Sequence, residues 1–159
     1  MRSVLVRGRH KVIGTTDGLY ITDEENGRVS HFTPEEMGGA HIISTLAYFN
    51  GYYYAGSYDA GLHRINAATL TAEPIPGEPL LAYTTIGVLQ VNDKENRLWI
   101  GTSEGAFVID GQERITRYTE DNSRIVSNTI SSACFLDNGA GWAGRAGRPL
   151  PLHFGLGTV

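Results

Sequence analysis

The sequence predicts an all-β fold, a segment of a β-propeller with about three and a half four-stranded antiparallel blades that form an incomplete ring. Three observations support this prediction. An apolar–glycine core recurs at nearly constant spacing, turn-forming residues flank it at fixed offsets, and helical patterning is weak throughout. A repeat of roughly 40–50 residues built from short strands and frequent turns is typical of propeller blades.

The recurring core contains four anchor glycines, Gly14, Gly56, Gly101 and Gly144, which are 42, 45 and 43 residues apart. A large apolar residue stands two positions before each anchor glycine: Val12, Tyr54, Trp99 and Trp142. Because such a residue recurs in every repeat, Trp99 and Trp142 are interpreted as core residues between blades rather than as a ligand platform. The anchor glycines, with the hydroxyl residues that follow them, are expected to serve backbone geometry and local hydrogen bonds.

Each complete repeat predicts four strands joined by three turns. Asn50-Gly51 is the strongest turn signal, because a type I′ hairpin turn needs positive φ at both central residues. A glycine turn follows each anchor, and a third turn precedes the last strand. The predicted last strands are Arg28–Phe32, Thr69–Ile75 and Glu113–Tyr118. Only Pro34–Met37 could form a helical turn.

The predicted repeats span residues 3–41, 42–84, 85–128 and 129–144, so that the propeller occupies residues 1–144. The fourth repeat contains only its first two strands. Residues 145–159 are expected to be an irregular tail, because Pro149 and Pro151 cannot donate to a strand ladder. The chain is therefore expected to be an arc of a longer ring whose end has lost the pattern through truncation, rearrangement or a change of reading frame; closure as a four-bladed ring or between molecules is the alternative.

Composition excludes several functional classes. The 159 residues suit one domain or a piece of one, and 13 Lys and Arg against 17 Asp and Glu leave a net charge of −4. A broad basic face for nucleic acid is therefore not expected. No apolar run reaches the roughly 18 residues of a membrane span, and none forms a signal-peptide core. Cys134 is the single cysteine and aligns with apolar positions, so it is interpreted as buried filler.

No motif predicts a cofactor or a metal. Gly139–Gly144 formally matches a dinucleotide-binding fingerprint, but it lies across a predicted hairpin and no helix follows. Asp93–Glu104 loosely resembles a calcium loop, yet Leu98 stands where the loop requires glycine. The five histidines lack the spacing of a local zinc site. No cofactor and no metal site are therefore predicted.

Two units resemble a known repeat family. Asn128-Thr-Ile-Ser-Ser with Leu136-Asp-Asn-Gly139 and Trp142, and Leu98-Trp-Ile-Gly-Thr-Ser-Glu-Gly105, resemble two-component-regulator propeller repeats, whose motif is N-x-I…D-x-x-G-x-L-W-I-G-T-x-x-G-L. The resemblance covers residues 3 to about 144. Tyr54-Ala-Gly56-Ser57 and Trp142-Ala-Gly144-Arg145 depart from the Trp-Ile-Gly-Thr pattern. This family forms sensor domains of hybrid two-component histidine kinases, typified by gut Bacteroidetes.

The resemblance implies a function and a location. Members of the family sense oligosaccharides with periplasmic propellers that precede a membrane helix and a kinase. This chain is therefore expected to be a non-catalytic, periplasmic part of such a sensor. It would contact an oligosaccharide, the remainder of the sensor chain, or further copies of itself through its blade edges. A protein-interaction propeller is the alternative, and a propeller lyase or hydrolase is a third.

Candidate ligand contacts are sought where the repeats differ, because scaffold positions must repeat whereas specificity need not. The second repeat alone contains the aromatic and polar set Tyr52, Tyr53, Tyr58, Asp59 and His63. Tyrosine rings stack on sugar faces and aspartate accepts from sugar hydroxyls. The alternative is that these tyrosines only fill strand positions. Asp17, Asp59 and Glu104 occupy the glycine turns, either as an acidic lining or as ordinary solvated turn residues.

Overall fold

The computed structural model describes residues 3–58, 60–75, 79–119 and 121 with their side chains, and the backbone of residues 132–135, 140–145 and 148–153. The chain divides into two compact units, residues 1–85 and 86–159. In each unit the sheets are antiparallel, and strands that follow one another in sequence are neighbours in the sheet. This is the architecture of propeller blades, and it confirms the predicted all-β class.

The first unit contains two four-stranded sheets and a short connecting helix. The strands of the first sheet are β1 (Ser3–Arg7), β2 (His10–Thr15), β3 (Gly18–Asp23) and β4 (Val29–Phe32). Those of the second sheet are β5 (Ile43–Phe49), β6 (Tyr52–Ser57), β7 (Leu62–Asn66) and β8 (Ala72–Glu73). A 3-10 helix, Pro79–Ala82, follows the second sheet.

The second unit contains one four-stranded and one three-stranded sheet. The strands of the third sheet are β9 (Ile86–Asn92), β10 (Arg97–Thr102), β11 (Gly105–Asp110) and β12 (Ile115–Tyr118). Those of the fourth are β13 (Ser132–Phe135), β14 (Ala140–Arg145) and β15 (Arg148–His153). The strands fall within the predicted repeats, except that β14 ends at Arg145 and β15 lies wholly beyond residue 144. The repeat boundaries themselves stay a prediction.

The four anchor glycines occupy equivalent places in the four sheets. Each lies near the end of the second strand, and each is paired with the residue that begins or nearly begins the third: Gly14 with Leu19, Gly56 with Leu62, Gly101 with Ala106 and Gly144 with Pro149. The predicted type I′ turn is also present, since φ is 52° at Asn50 and 86° at Gly51. The sequence repeat is therefore a structural repeat.

The core of the first unit lies between its two sheets. Val12, Leu19 and Ile21 of the first sheet are buried in one cluster with Tyr53 and Ile65 of the second. The connecting segment adds Met37 and Ala40 to the same cluster. Burying a large apolar side chain contributes about 1.5–3 kcal/mol, so this cluster holds the two sheets together. The opposite face of the first sheet leaves Val4, Val6 and Val29 exposed.

The third sheet buries side chains on both faces. Trp99 is only 3% exposed, and its ring stacks on Tyr118 with the centroids 5.7 Å apart. Leu98 and Phe107, which point to the other face, are fully buried. Val12 and Tyr54, which share the repeat position of Trp99, are buried as well. The side chain of Trp142 lies outside the described residues.

Two predictions about regular structure are wrong. Residues 145–159 were expected to be irregular, but Arg148–His153 forms β15, with Pro149 and Pro151 opposite Gly144 and Trp142. Proline is tolerated in an edge strand where its nitrogen faces away from the neighbouring strand. Pro149 and Pro151 are two residues apart, so their nitrogens face the same side of β15. The 3-10 helix at Pro79–Ala82 was not expected. In the described part of the chain, no helix is long and apolar enough to cross a membrane.

Candidate functional site

The glycine turns of the first three sheets share one hydrogen-bonded geometry. A hydroxyl at the end of the second strand donates to a glycine carbonyl and accepts the N–H of the residue two or three positions after it. The pairs of hydroxyl and glycine are Thr15 with Gly18 (2.9 Å), Ser57 with Gly61 (2.9 Å) and Thr102 with Gly105 (2.7 Å). These are the local hydrogen bonds that the sequence predicts, and they shape the ends of the sheets where the candidate site lies.

The acidic residues of these turns behave as solvated turn residues. Asp17 is exposed and lies 3.9 Å from the His31 ring of the same sheet. Glu104 is exposed and lies 3.7 Å from the Arg117 guanidinium of its own sheet. Exposed pairs of this kind contribute little to stability. Asp59, the third predicted member, lies outside the described residues.

The structure separates the predicted Tyr52–Tyr53 pair. The two residues are neighbours in β6, so their side chains point to opposite faces of the second sheet. Tyr53 is buried in the core of the first unit, where its hydroxyl lies 2.7 Å from Nδ1 of His10. Burial raises the pKa of Tyr53, and the neighbouring Tyr48 adds to that effect. Tyr53 is thus a core residue with a polar partner.

The side chain of Tyr52 in β6 contacts residues of β7 and β8 in the same sheet. Its hydroxyl donates to Glu73 Oε1 at 3.3 Å, and the Arg64 guanidinium lies 4.0 Å from the centroid of its ring. The other Glu73 oxygen accepts from Asn66 Nδ2 at 2.9 Å. These contacts fix the Glu73 carboxylate at the outer edge of the sheet, where it lines a cavity.

This cavity, which we call the second-sheet cavity, has a volume of about 420 Å³. Its walls include Leu62 and His63 from β7, Glu73 at the end of β8 with Pro74 after it, and Pro79 and Leu81 from the 3-10 helix. Apolar side chains predominate, and Glu73 and His63 supply polar groups. His63 Nε2 lies 2.8 Å from the carbonyl oxygen of Ala60, and because a carbonyl only accepts, Nε2 carries the proton.

Two exposed tyrosines lie on the chain segments that flank the second-sheet cavity, although neither lines it. Tyr83 directly follows the lining residue Ala82 and is 81% exposed, and Tyr58 is 49% exposed. Thr85 Oγ1 donates to the carbonyl of Tyr58 at 3.1 Å, which joins the two tyrosine-bearing segments. Tyr58 N–H also donates to the Ile42 carbonyl at 3.3 Å. The cavity and these tyrosines form the candidate site.

The candidate site keeps some predicted residues and adds others. His63 lines the cavity and Tyr52 positions Glu73, whereas Tyr58 lies on the segment that leads to β7. Tyr53 is on the same face of the sheet as His63, but it is buried in the core of the first unit. Tyr83 and Glu73 were missed, because neither lies near the predicted cluster in sequence. Glu73 is paired with Arg64 across β7 and β8, so a prediction of that strand register could have identified Glu73 as a site residue. Among the described residues, no His, Cys, Asp or Glu cluster could hold a metal ion.

A second group of polar residues lies at the other end of β7 and was also missed. The Asp23 carboxylate accepts the N–H of Glu25 at 2.9 Å and pairs with the Arg9 guanidinium at 2.9 Å. Burial alone would raise the pKa of Asp23. The backbone N–H groups of Glu25 and Asn26, with Arg9 and His10, outweigh burial and hold the pKa below its ordinary value.

The lowered pKa of Asp23 predicts an acid-dependent stability. The folded state favours the ionised carboxylate, so this stabilisation is complete above the ordinary pKa of 3.8 and is lost as the pH falls through the lowered folded value. Asp110 occupies the equivalent turn of the third sheet. Burial would raise its pKa, but the backbone N–H groups of Arg114 and Gln112 and the Arg114 guanidinium outweigh burial and lower the pKa. We expect the urea midpoint to fall as the pH is lowered from about 5 to about 2.

Asp23→Asn tests this assignment. Asn66 occupies the equivalent turn of the second sheet, where its Oδ1 accepts the N–H of Ala68 at 2.9 Å, so an asparagine at position 23 can preserve the turn. The variant should have a shallower loss of stability in acid than the parent chain. An equally steep loss would contradict the role assigned to Asp23.

No protein-family model and no curated protein sequence matches the chain. Two solved structures of one extracellular domain from B. thetaiotaomicron, assigned to a one-component and to a hybrid two-component system, are similar to it. The first is 20% identical with a TM-score of 0.75 and covers 96% of this chain and 21% of that one. The second is 16% identical with a TM-score of 0.68 and covers 90% and 20%.

A computationally designed protein, Ika4, is also similar, with 14% identity, a TM-score of 0.66 and coverage of 97% of this chain and 91% of that one. The chain spans about a fifth of the length of the B. thetaiotaomicron domain. At these identities the likeness establishes the fold, which is that of a propeller segment. The extracellular domain of a hybrid two-component system is also the kind of neighbour that the sequence resemblance predicts.

Proposed function

We propose that the chain is a ligand-sensing segment of the input domain of a hybrid two-component histidine kinase, and that it binds an oligosaccharide. The fold shared with the extracellular domain of such a system from B. thetaiotaomicron supports the sensing role. In this proposal the segment acts in the periplasm and binds its ligand without catalysis. The observation that carries the oligosaccharide assignment is the second-sheet cavity, together with the two exposed tyrosines on the segments that flank it.

The chemistry of the second-sheet cavity suits a sugar. Ligand cavities commonly have volumes of roughly 300–1,000 Å³, and this one has about 420 Å³. The apolar faces of sugar rings stack on aromatic side chains such as Tyr58 and Tyr83. The Glu73 carboxylate, already oriented by Tyr52 and Asn66, has further lone pairs that can accept from sugar hydroxyls.

The walls of the second-sheet cavity suggest how binding is transmitted. One wall is formed by β7 and β8, and the other by the 3-10 helix in the segment that leads out of the second sheet. A ligand that contacts both walls stabilises the conformations in which the distance between β7 and the 3-10 helix fits the ligand. Binding thereby shifts the population of conformations of the connecting segment, which is the change a sensor passes on.

A glycan array followed by calorimetry tests this function. We expect at least one oligosaccharide to bind, and we expect Tyr58→Ala and Tyr83→Ala each to weaken binding about tenfold, as loss of a stacking contact predicts. Both side chains are exposed, so neither variant should lower the melting temperature appreciably.

Tyr20→Ala is the matched control, because Tyr20 stacks on His31 in the first sheet, away from the second-sheet cavity. It should bind the same glycan with unchanged affinity. Absence of any bound glycan, or equal losses in all three variants, would refute the oligosaccharide assignment.

A specific observation also favours the alternative of a protein-interaction propeller. Val4, Val6 and Val29 are exposed on the outer face of the first sheet, although the equivalent face of the second sheet packs into the core of the first unit. Grouped exposed apolar residues commonly mark protein contacts. In this alternative the remainder of the sensor chain, or a second copy, contacts this face.

A further inference from the structure

A second cavity, of about 550 Å³, lies between the first and second sheets at the end of β7 remote from the second-sheet cavity. We call it the inter-sheet cleft. Arg9, His10, Asp23 and Arg28 line it from the first sheet, and the turn at 67–70 lines it from the second. Its polar lining contrasts with the apolar second-sheet cavity, so a different ligand chemistry is expected there.

One guanidinium group that lines the inter-sheet cleft, that of Arg28, has no carboxylate partner among the described residues. Arg9 pairs with Asp23 and, at 2.9 Å, with Glu25, so its charge is compensated. The exposed Arg28 forms no ion pair with any carboxylate of the described residues. Arg28 is therefore the lining guanidinium that is available to a ligand, whereas the Asp23 carboxylate already accepts from Arg9 and two backbone N–H groups.

His10 supplies an oriented donor to the inter-sheet cleft. The buried Tyr53 hydroxyl lies 2.7 Å from His10 Nδ1, and it has no other hydrogen-bond acceptor within the described residues. A buried hydroxyl needs an acceptor, so it donates to Nδ1 and leaves the proton of the neutral ring on Nε2. Nε2 lies 3.9 Å from Asp23 Oδ2, which is beyond hydrogen-bond distance, so this N–H can donate to a ligand.

We propose that the inter-sheet cleft binds a carboxylate-bearing ligand of roughly disaccharide size, with Arg28 pairing with the carboxylate and His10 Nε2–H donating to it. Ser30, which also lines the cleft, adds a hydroxyl donor. Tyr53 is a positioning residue, because it fixes the His10 tautomer from the core. A uronate sugar and a free dicarboxylate present the same carboxylate chemistry. The proposal is independent of the second-sheet cavity, which lies at the other end of β7.

Calorimetry of the full chain with digalacturonate, succinate and the neutral sugar lactose tests the proposal. We expect digalacturonate or succinate to bind at low salt and lactose not to bind in this cleft. Binding of both acids identifies a general carboxylate site, and binding of digalacturonate alone identifies a uronate site. Arg28→Gln should weaken binding by about 10- to 100-fold, the usual effect of losing a charge-assisted hydrogen bond.

Two further variants keep this test falsifiable. Arg114→Gln removes the same charge from an exposed arginine of the third sheet that pairs with Asp110, and it should leave the affinity unchanged. Tyr53→Phe should weaken binding several-fold and shift the His10 ring nitrogen resonances away from the pure Nε2–H tautomer. Absence of binding by both acids, or equal affinity in the parent and Arg28→Gln, would overturn the proposal.

Discussion

Replacing Gly61 with alanine is expected to destabilise the chain by about 3 kcal/mol. Gly61 has a φ of 75°, which strains any residue with a Cβ, and its added Cβ would overlap the carbonyl oxygen of Leu81 and the backbone of Ala82. Those atoms belong to the 3-10 helix and cannot move aside as a flexible side chain would. The midpoint of urea unfolding, with the slope unchanged, measures this effect.

Gly51→Ala is the matched control for this prediction. Gly51 lies in the same sheet with a φ of 86°, but nothing lies within 4 Å of its added Cβ. It should cost about 1 kcal/mol, the strain of the left-handed conformation alone. Because the helix displaced in Gly61→Ala lines the second-sheet cavity, that variant should also bind glycan more weakly. Equal destabilisation by the two substitutions would show that the close contact with the helix is absent.

Trp99→Ala is expected to be the most damaging substitution in the third sheet, with a loss of about 3–5 kcal/mol. The Trp99 side chain is almost entirely buried and stacks on Tyr118 at an angle of 18°. Truncation removes this contact and leaves a cavity that the β10 and β12 backbones cannot close. Thermal and urea unfolding measure the loss.

Trp99→Phe separates packing from a ligand-binding role. The smaller ring keeps part of the stacking on Tyr118, so the loss should be well below that of alanine. If Trp99 is a core residue, glycan affinity in Trp99→Phe should equal that of the parent chain. A large loss of affinity with unchanged stability would instead identify Trp99 as a ligand platform.

The blade architecture is predictable because it depends on local signals that recur. Asn50-Gly51 specifies its own turn, since both residues adopt the positive φ that a type I′ turn needs. The hydroxyl residues after the anchor glycines also form hydrogen bonds with residues only a few positions away in sequence. Thr15, for example, bonds Gly18 and the N–H of Asp17. Interactions of this range can be inferred from one sequence.

The candidate site is less predictable because its members come from separate segments. Tyr52 and Tyr53 look like one cluster in sequence, but strand alternation places them on opposite faces of the sheet. Tyr83 follows the 3-10 helix, which packs against β7, and no local signal in the sequence specified that packing. The β15 strand was missed for a related reason, since proline is excluded from a ladder only where its nitrogen must donate.

The inter-sheet cleft could have been partly inferred. His10 and Asp23 are directly opposite each other in the β2–β3 pairing, and this register follows from the length of the glycine turn between the strands. The contact of His10 with Tyr53 joins two sheets, and the sequence contains no local signal for that contact. Strand register is thus accessible from sequence, whereas packing between sheets is not.

Mapping the bound oligosaccharide by NMR tests the central claim most directly. The chain, labelled with ¹⁵N, is titrated with the glycan selected by the array, and amide shifts are followed residue by residue. We predict that the largest shifts cluster at Tyr58, at His63 and in the segment 80–85, which line or flank the second-sheet cavity. Shifts confined to other sheets, or no shifts at saturating glycan, would contradict the account.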